Sequence, residues 1–239
     1  MNKEKSSMKG KKAQMRLMFD RIAPSYDSLN HLLSMQIDRL WRRKACRRVA
    51  EGAPRRILDL ATGTGDLAIA LARCLPEAEI LGLDLSPEML AVARKKITAA
   101  GLQERICVEE GDAEALPVAD GAFDRVTVGF GVRNFARLEL SLQEMHRVLS
   151  AGGEVMILEL SIPKSRLIRA LYTFYSFRLI PFIGGLISGE RQAYRYLPAS
   201  VHAFYAPERV VEMMQEAGFT ACRAESLTFG IAHIYTAKR

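Results

Sequence analysis

Four aspartates stand where short apolar runs stop or a glycine turn begins. Carboxylates placed this way can hold the hydroxyl, amino and cationic groups of a ligand. Asp59 lies inside the run Ile57-Leu58-Asp59-Leu60, and Asp66 follows the turn Ala61-Thr62-Gly63-Thr64-Gly65. Asp84 closes the run that starts at Glu79, and Asp112 follows Ile106–Gly111. Gly63 and Gly65 carry no Cβ, so the chain can bend sharply there and a ligand can lie against it. The amides that open the next helix point at such a ligand. Asp84 lies 19 residues beyond Gly65, where an acid can accept both hydroxyls of a ribose. Asp112 and the amide of Ala113 offer one acceptor and one donor, which matches the amine and ring nitrogen of adenine.

The spacing Gly63-x-Gly65-x-x-Ala68 also fits a dinucleotide fingerprint. Its flanks decide against that reading. Acids on both sides of the turn would repel a pyrophosphate. They suit a cationic nucleoside, of which S-adenosylmethionine is the obvious example.

The elements that must carry these residues alternate. Strands are predicted over 57–60, 79–84, 106–110, 123–130 and 154–160. Helices are predicted after Asp66, from Pro87 to about Ala100 with Ser86 as cap, over 138–149 and over 207–217. Thr220–Thr228 and Ile231–Ala237 read as an antiparallel hairpin around Gly230. The fold expected is therefore α/β, with a mostly parallel sheet and a reversed terminal strand. Ligands of such sheets bind outside the carboxyl ends of the strands, so Arg133 and Asn134, just after the fourth strand, should face the same cleft. Residues 1–12 read as a disordered basic tail and 13–50 as helices, broken at Pro24 with Ser25 or Asp27 as the next cap. A single α/β domain is then expected over 51–239. Its segment 164–187 is apolar and aromatic but interrupted by Arg166, Arg169 and Arg178, too polar to span a bilayer and apolar enough to rest on one. His202 is a lone imidazole that reads as structural rather than as a base.

Composition sets the outer bounds. The 239 residues, 49% hydrophobic and 26% charged, describe a soluble globular chain. There is no apolar leader after Met1, and the four cysteines are far apart without a CxxC. A reducing cytoplasm fits, and no metal site is indicated. The net charge of +7 is uneven: residues 1–56 hold 15 basic and 5 acidic residues, the remainder 19 and 22. Such a basic face could meet RNA or anionic lipid. Four acids around one cleft argue against a catalytically silent binding module, so no nucleic-acid partner is expected.

Two stretches carry a resemblance. Tyr26-Asp27-Ser28-Leu29-Asn30-His31-Leu32-Leu33-Ser34 with Trp41, and Arg147-Val148-Leu149-Ser150-Ala151-Gly152-Gly153 with Glu159-Leu160-Ser161, resemble the two signatures of the ubiquinone/menaquinone biosynthesis C-methyltransferases. Phe130–Asn134 and Ala193–Leu197 fit the same family. Leu29 stands where Met is usual, Asp38 where His is usual, and Ser150-Ala151 where Lys-Pro is usual. The resemblance implies a class I methyltransferase (Rossmann-like) fold with a seven-stranded sheet and N-terminal helices, in which 13–50 form a lid and 164–205 a substrate-side insertion. It implies S-adenosylmethionine as cofactor, held at Thr64, Asp84, Asp112 and Ala113 and, by backbone alone, at Gly129, beside the Asp59, Gly63 and Gly65 that the turn itself points to. Tyr26 and Asp27 would close over it. The implied reaction is methylation of a ring carbon of a polyprenylated quinol. Demethylmenaquinol is the preferred acceptor; a benzoquinol precursor of ubiquinone and another small molecule are the alternatives. Arg133 would stabilise the developing oxyanion and Asn134 orient the ring. A transient peripheral contact with the inner face of the membrane is expected, and a homodimer is a candidate assembly.

Overall fold

The computed structural model describes residues 2–179 and 191–239. Three helices come first: α1 (Asn2–Ile22), α2 (Tyr26–Leu33) and α3 (Ile37–Val49), with a 3-10 turn over Ala23–Ser25 between α1 and α2. Alternation follows: β1 (Arg56–Leu60), α4 (Asp66–Cys74), β2 (Glu79–Asp84), α5 (Pro87–Ala99), β3 (Ile106–Glu110), β4 (Phe123–Gly129), α6 (Leu138–Val148) and β5 (Leu149–Leu160). Then come α7 (Arg166–Phe174), α8 (Arg191–Ala203), α9 (Pro207–Glu216), β6 (Thr220–Leu227) and β7 (Ala232–Lys238).

The strands form one seven-stranded sheet in the order β3-β2-β1-β4-β5-β7-β6. β1 to β5 pair in parallel, whereas β7 runs antiparallel to both β5 and β6. β1 reads Ile57-Leu58-Asp59-Leu60 and is buried along all four residues, as a central parallel strand must be. Two apolar layers clothe the faces. One is built around Trp41, Cys46, Leu71, Ile80 and Leu158. The other is built around Leu58, Val128, Leu142, Met145 and Tyr235.

Several local expectations are met. Ser86 caps α5 by accepting the Met89 amide at 3.1 Å, with Pro87 in the first turn. Others need correction. Neither Ser25 nor Asp27 caps α2: the Ser25 hydroxyl donates back to the Ile22 carbonyl, and the Asp27 carboxylate is taken by Thr64 and Lys96. Residues 2–12, expected as a disordered tail, are helical and continuous with α1. At the end of that stretch Lys12 bridges Asp112 at 2.6 Å and Glu114 at 2.9 Å. β5 begins at Leu149 rather than Glu154, because Leu149 pairs with Phe123 across an irregular register and Gly152 absorbs the kink at φ +74°. The segment 164–187 is described only to residue 179, where α7 gives way to a π-helical turn over Tyr175–Leu179; Ile180, Phe182 and Ile183 lie outside the described residues, as do the side chains of Ala193, Tyr194 and Arg195.

Candidate functional site

The carboxyl ends of β1, β2 and β4 open on a cleft enclosing about 840 Å³ with its mouth included. Its walls include Ala61, Gly63, Asp84, Asp112, Ala113, Gly129, Gly131 and Asn134. The backbone is shaped to make room. Gly63 takes φ +55°, which L residues rarely adopt. A Cβ on Gly131 would stand 2.6 Å from that of Ala61, so only glycine lets β4's exit pass β1's.

Asp84 sits as the spacing requires. One of its oxygens accepts the Gly63 amide at 2.9 Å and the other the Ser86 amide at 2.8 Å. Burial pushes its carboxyl up, and those amides resist the shift. Asp112 faces the same cleft and accepts the Glu114 amide. With Glu114 it makes the far end acidic, and Lys12 neutralises that end.

Asp59 and Asp66 do not join them, so the expected ring of four acids is corrected. Asp59 is buried inside the sheet and accepts the hydroxyls of Thr62 at 2.7 Å and Thr127 at 2.6 Å. Burial raises its carboxyl to about 6. Asp66 turns toward α2 and α3, where it pairs with Lys96 at 2.5 Å and lies near His31 and Arg42. Burial would raise it, but Arg42 and Lys96 outweigh that and hold it down. Thr64 and Gly65 also stay outside the cleft lining: Thr64 donates to Asp27 at 2.5 Å, and Gly65 starts α4 at φ +81°.

A second cavity of about 960 Å³, mouth included, lies beside the first. It is mainly apolar, with Ile37, Trp41, Leu160, Tyr172, Tyr175 and Leu197 among its walls. Tyr26 and Phe130 line both cavities. They form the partition across which two bound molecules would meet. Burial raises the Tyr26 phenol against the pull of Arg133 and Arg42, so it stays protonated. Burial pushes Tyr172 to about 12.

Arg133 and Asn134 were expected on one cleft, and the 3-10 turn over Val132–Asn134 separates them. Asn134 lines the first cavity, its Oδ1 accepting the Tyr196 hydroxyl at 2.9 Å. Arg133 lines the second, its Nη1 donating to Glu159 at 2.7 Å. His202 touches neither cavity and packs edge-on against Phe177.

Three groups escaped the sequence reading. Met15 and Arg16 of α1 line the first cavity with Lys12. Lys96 ties Asp27 of α2 to Asp66 of α4. Asp38, where the resemblance leads one to expect an imidazole, accepts His31 Nδ1 at 2.7 Å, Ser34 Oγ at 2.5 Å and Arg42. Burial works against that carboxylate, yet those donors hold it below its usual range. The pattern of acids and bases on two helices with seven-residue spacing was the available signal for the last.

A nucleoside fits the first cavity: a glycine cradle, a part-buried acid at the ribose position and, at the far end, Asp112 beside the Ala113 amide. Comparison with known proteins agrees. A model of the ubiE/COQ5 methyltransferase family matches residues 7–239. The chain is 53% identical to a demethylmenaquinone methyltransferase of Thermus thermophilus, over 93% of this chain and 100% of that one. It is 44% identical to a ubiquinone/menaquinone biosynthesis C-methyltransferase of Geotalea uraniireducens, over 98% and 99%. A S-adenosylmethionine-dependent methyltransferase of Thermotoga maritima, a possible histamine N-methyltransferase by its description, shares the fold at TM-score 0.64 and 19% identity, over 92% of this chain and 98% of that one.

Proposed function

The chain belongs to the ubiE/COQ5 methyltransferase family, and from that premise we propose that it transfers a methyl group from S-adenosylmethionine to a ring carbon of demethylmenaquinol, giving menaquinol. The observation that carries this reading is the partition of Tyr26 and Phe130, with a cavity on one side that holds Asp84, Asp112 and Glu114 among strand-end glycines, and, on the other, one walled mainly by aromatic and aliphatic side chains. A charged donor and a greasy, flat acceptor need such a pair of adjoining sites.

S-adenosylmethionine supplies an electrophilic methyl group on a sulfonium. Asp84 would accept the ribose hydroxyls, and Asp112 with the Ala113 amide would take the adenine edge. Gly63 and Gly129 let the backbone approach. Trp41, Tyr172 and Leu197 exclude water from the acceptor ring. Arg133 would meet the hydroxyl next to the reacting carbon and favour its ionised form, the hydroxyl proton leaving to solvent; that carbon is then nucleophilic, and once methylated it gives up its own proton while the oxygen is reprotonated from solvent. Tyr26 keeps its proton and closes the partition, and Asn134 orients the reactants at the junction. Holding two reactants in line supplies about 7–11 kcal/mol of the barrier reduction, so positioning is the protein's main contribution.

A peripheral contact with the inner face of the cytoplasmic membrane belongs to the same proposal. No helix among the described residues is long and apolar enough to cross a bilayer. On α7, however, Leu167, Leu171 and Phe174 are 62–71% exposed at i, i+4 and i+7, interleaved with Arg166 and Arg169. An apolar stripe edged with arginines suits anionic lipid. The same helix turns Tyr172 into the acceptor cavity, so a prenyl tail has a short path from lipid to site.

The test is direct. Purified protein with S-adenosylmethionine and demethylmenaquinol should yield menaquinol, and a strain lacking the gene should accumulate a quinone one methyl short. Turnover of a demethylated benzoquinol with none of the naphthoquinol would replace this acceptor by the ubiquinone precursor.

A further inference from the structure

Arg133 is held at three of its donor positions. Nη1 donates to Glu159 Oε1 at 2.7 Å and to the Phe130 carbonyl. Nε donates to Ser200 Oγ at 3.3 Å, and the backbone amide donates to Glu159 Oε2 at 3.2 Å. Nη2 is the donor of this guanidinium with no partner among the described residues, and the side chain lines the acceptor cavity. Glu159 is fully buried and also accepts the Leu160 amide at 2.7 Å. It stands in β5, where it pairs in register with His233 of β7, so its position is set by the sheet and not by a loop. Ser200 is fixed in turn by donating to the Leu197 carbonyl at 2.8 Å.

A buried ion pair is costly, and an apolar pair of similar volume usually packs as well or better. Packing alone therefore gives no reason for a carboxylate and a guanidinium at the wall of a mainly apolar cavity. Orientation gives one. A guanidinium held by Glu159, Ser200 and the Phe130 carbonyl keeps one plane, and its remaining edge stays aimed where negative charge develops.

Resting on the acceptor reading above, we propose that Glu159 is a positioning residue which, with Ser200, holds the Arg133 guanidinium so that Nη2 is the edge left for the acceptor oxygen. Glu159 touches neither reactant. It acts by fixing the plane of the guanidinium.

The experiment uses the full chain with S-adenosylmethionine and a short-chain demethylnaphthoquinol. Glu159→Gln keeps the shape and removes the charge. Losing a hydrogen bond to a charged group corresponds to about 10–100-fold, and kcat should fall by that much while KM for S-adenosylmethionine stays within about twofold. Ser200→Ala should lower kcat by about threefold to tenfold, the range of a neutral hydrogen bond. In an Arg133→Gln background Glu159→Gln should cost little more, because residues that act through one another are not additive. Unchanged kcat in Glu159→Gln, or losses that multiply in the double variant, overturns the proposal. If Glu159→Gln does not fold, Ser200→Ala decides alone, and unchanged kcat there overturns it. If Arg133→Gln itself turns over normally, the acceptor reading fails and the clamp with it; a fall in Arg133→Gln without one in Glu159→Gln or Ser200→Ala sinks the clamp only.

Discussion

The two cavities are built by different means. The cofactor cavity is made largely of strand ends and the turns that follow them, each contributing one short stretch: Ala61–Gly63, Asp84–Ser86, Gly111–Glu114 and Gly129–Gly131. The acceptor cavity has no such frame. Its walls come from α2, α3, the turn after β4, α7, α8 and the loop between β6 and β7. The first is a property of the sheet, and most of its geometry exists as soon as the strands pair. The second exists only when helices distant in sequence have docked. A sheet-framed site should therefore tolerate changes in the helices, whereas the helix-framed site should respond to them.

Arg133→Ala tests the helix-framed site most severely. It would leave Glu159 buried without its partner, a situation that costs about 3–5 kcal/mol. Thermal unfolding should show a loss of that size, while S-adenosylmethionine affinity in the protein still folded stays near normal. A fall in affinity as large as the fall in turnover would erase the distinction between the two cavities.

Asp59 tests the sheet beneath both. Its carboxyl, raised to about 6 by burial, binds a proton more tightly folded than unfolded. Stability is therefore fully present at low pH and declines as pH rises from about 4 through 6. Across that window the loss amounts to about 3 kcal/mol. Asp59→Asn should flatten the dependence of urea midpoint on pH over the same range; an unaltered slope would assign it to other groups.

Asp84→Asn tests the sheet-framed site directly. The two amides it accepts and the hydroxyls it would receive lose an anionic partner, worth about 1.5–3 kcal/mol. Calorimetry should show S-adenosylmethionine bound roughly 10–100 times more weakly, with melting temperature little altered. Weakening of less than threefold would remove Asp84 from the ribose.

The smallest effect belongs to α7. Leu167→Ser with Leu171→Ser alters exposed positions, so stability should shift by no more than about 0.5 kcal/mol. Turnover of a short-chain acceptor in solution should be normal. Co-sedimentation with vesicles containing anionic phosphatidylglycerol should fall several-fold; unchanged sedimentation would take α7 out of the membrane contact.

The same contrast explains what was legible in the chain alone. Strand ends announce themselves: Asp84 and Asp112 stand at apolar-run boundaries, Gly63 marks a turn, and all three line the cleft as expected. The turn after β4 was placed correctly at the sheet's carboxyl edge. Which cavity each of its residues faces was not, because a 3-10 turn rotates successive side chains by about 120°, and that turns Arg133 away from Asn134. Asp59 misled for a related reason. An acid inside an apolar strand reads as a ligand for something cationic, yet Thr62 and Thr127 satisfy it within the sheet. Long-range partners were the least visible. Nothing near Lys12 in sequence points to Asp112, a hundred residues away, and Lys96 joins Asp27 to Asp66 only because α5 packs beside α1 and the turn over Ala23–Ser25.

The position of β7 carries a further consequence. It follows β6 in sequence but is interior in the sheet, between β5 and β6. While a ribosome still holds that strand in its exit tunnel, β6 has no neighbour to join, and Met156, Ile157 and Leu158 sit on an open border of the nascent sheet. Such a border recruits other extended chains. Newly made protein would be most prone to aggregation, and most dependent on a chaperone, in the interval before residues 232–238 emerge, and clipping those residues would split the sheet rather than fray it.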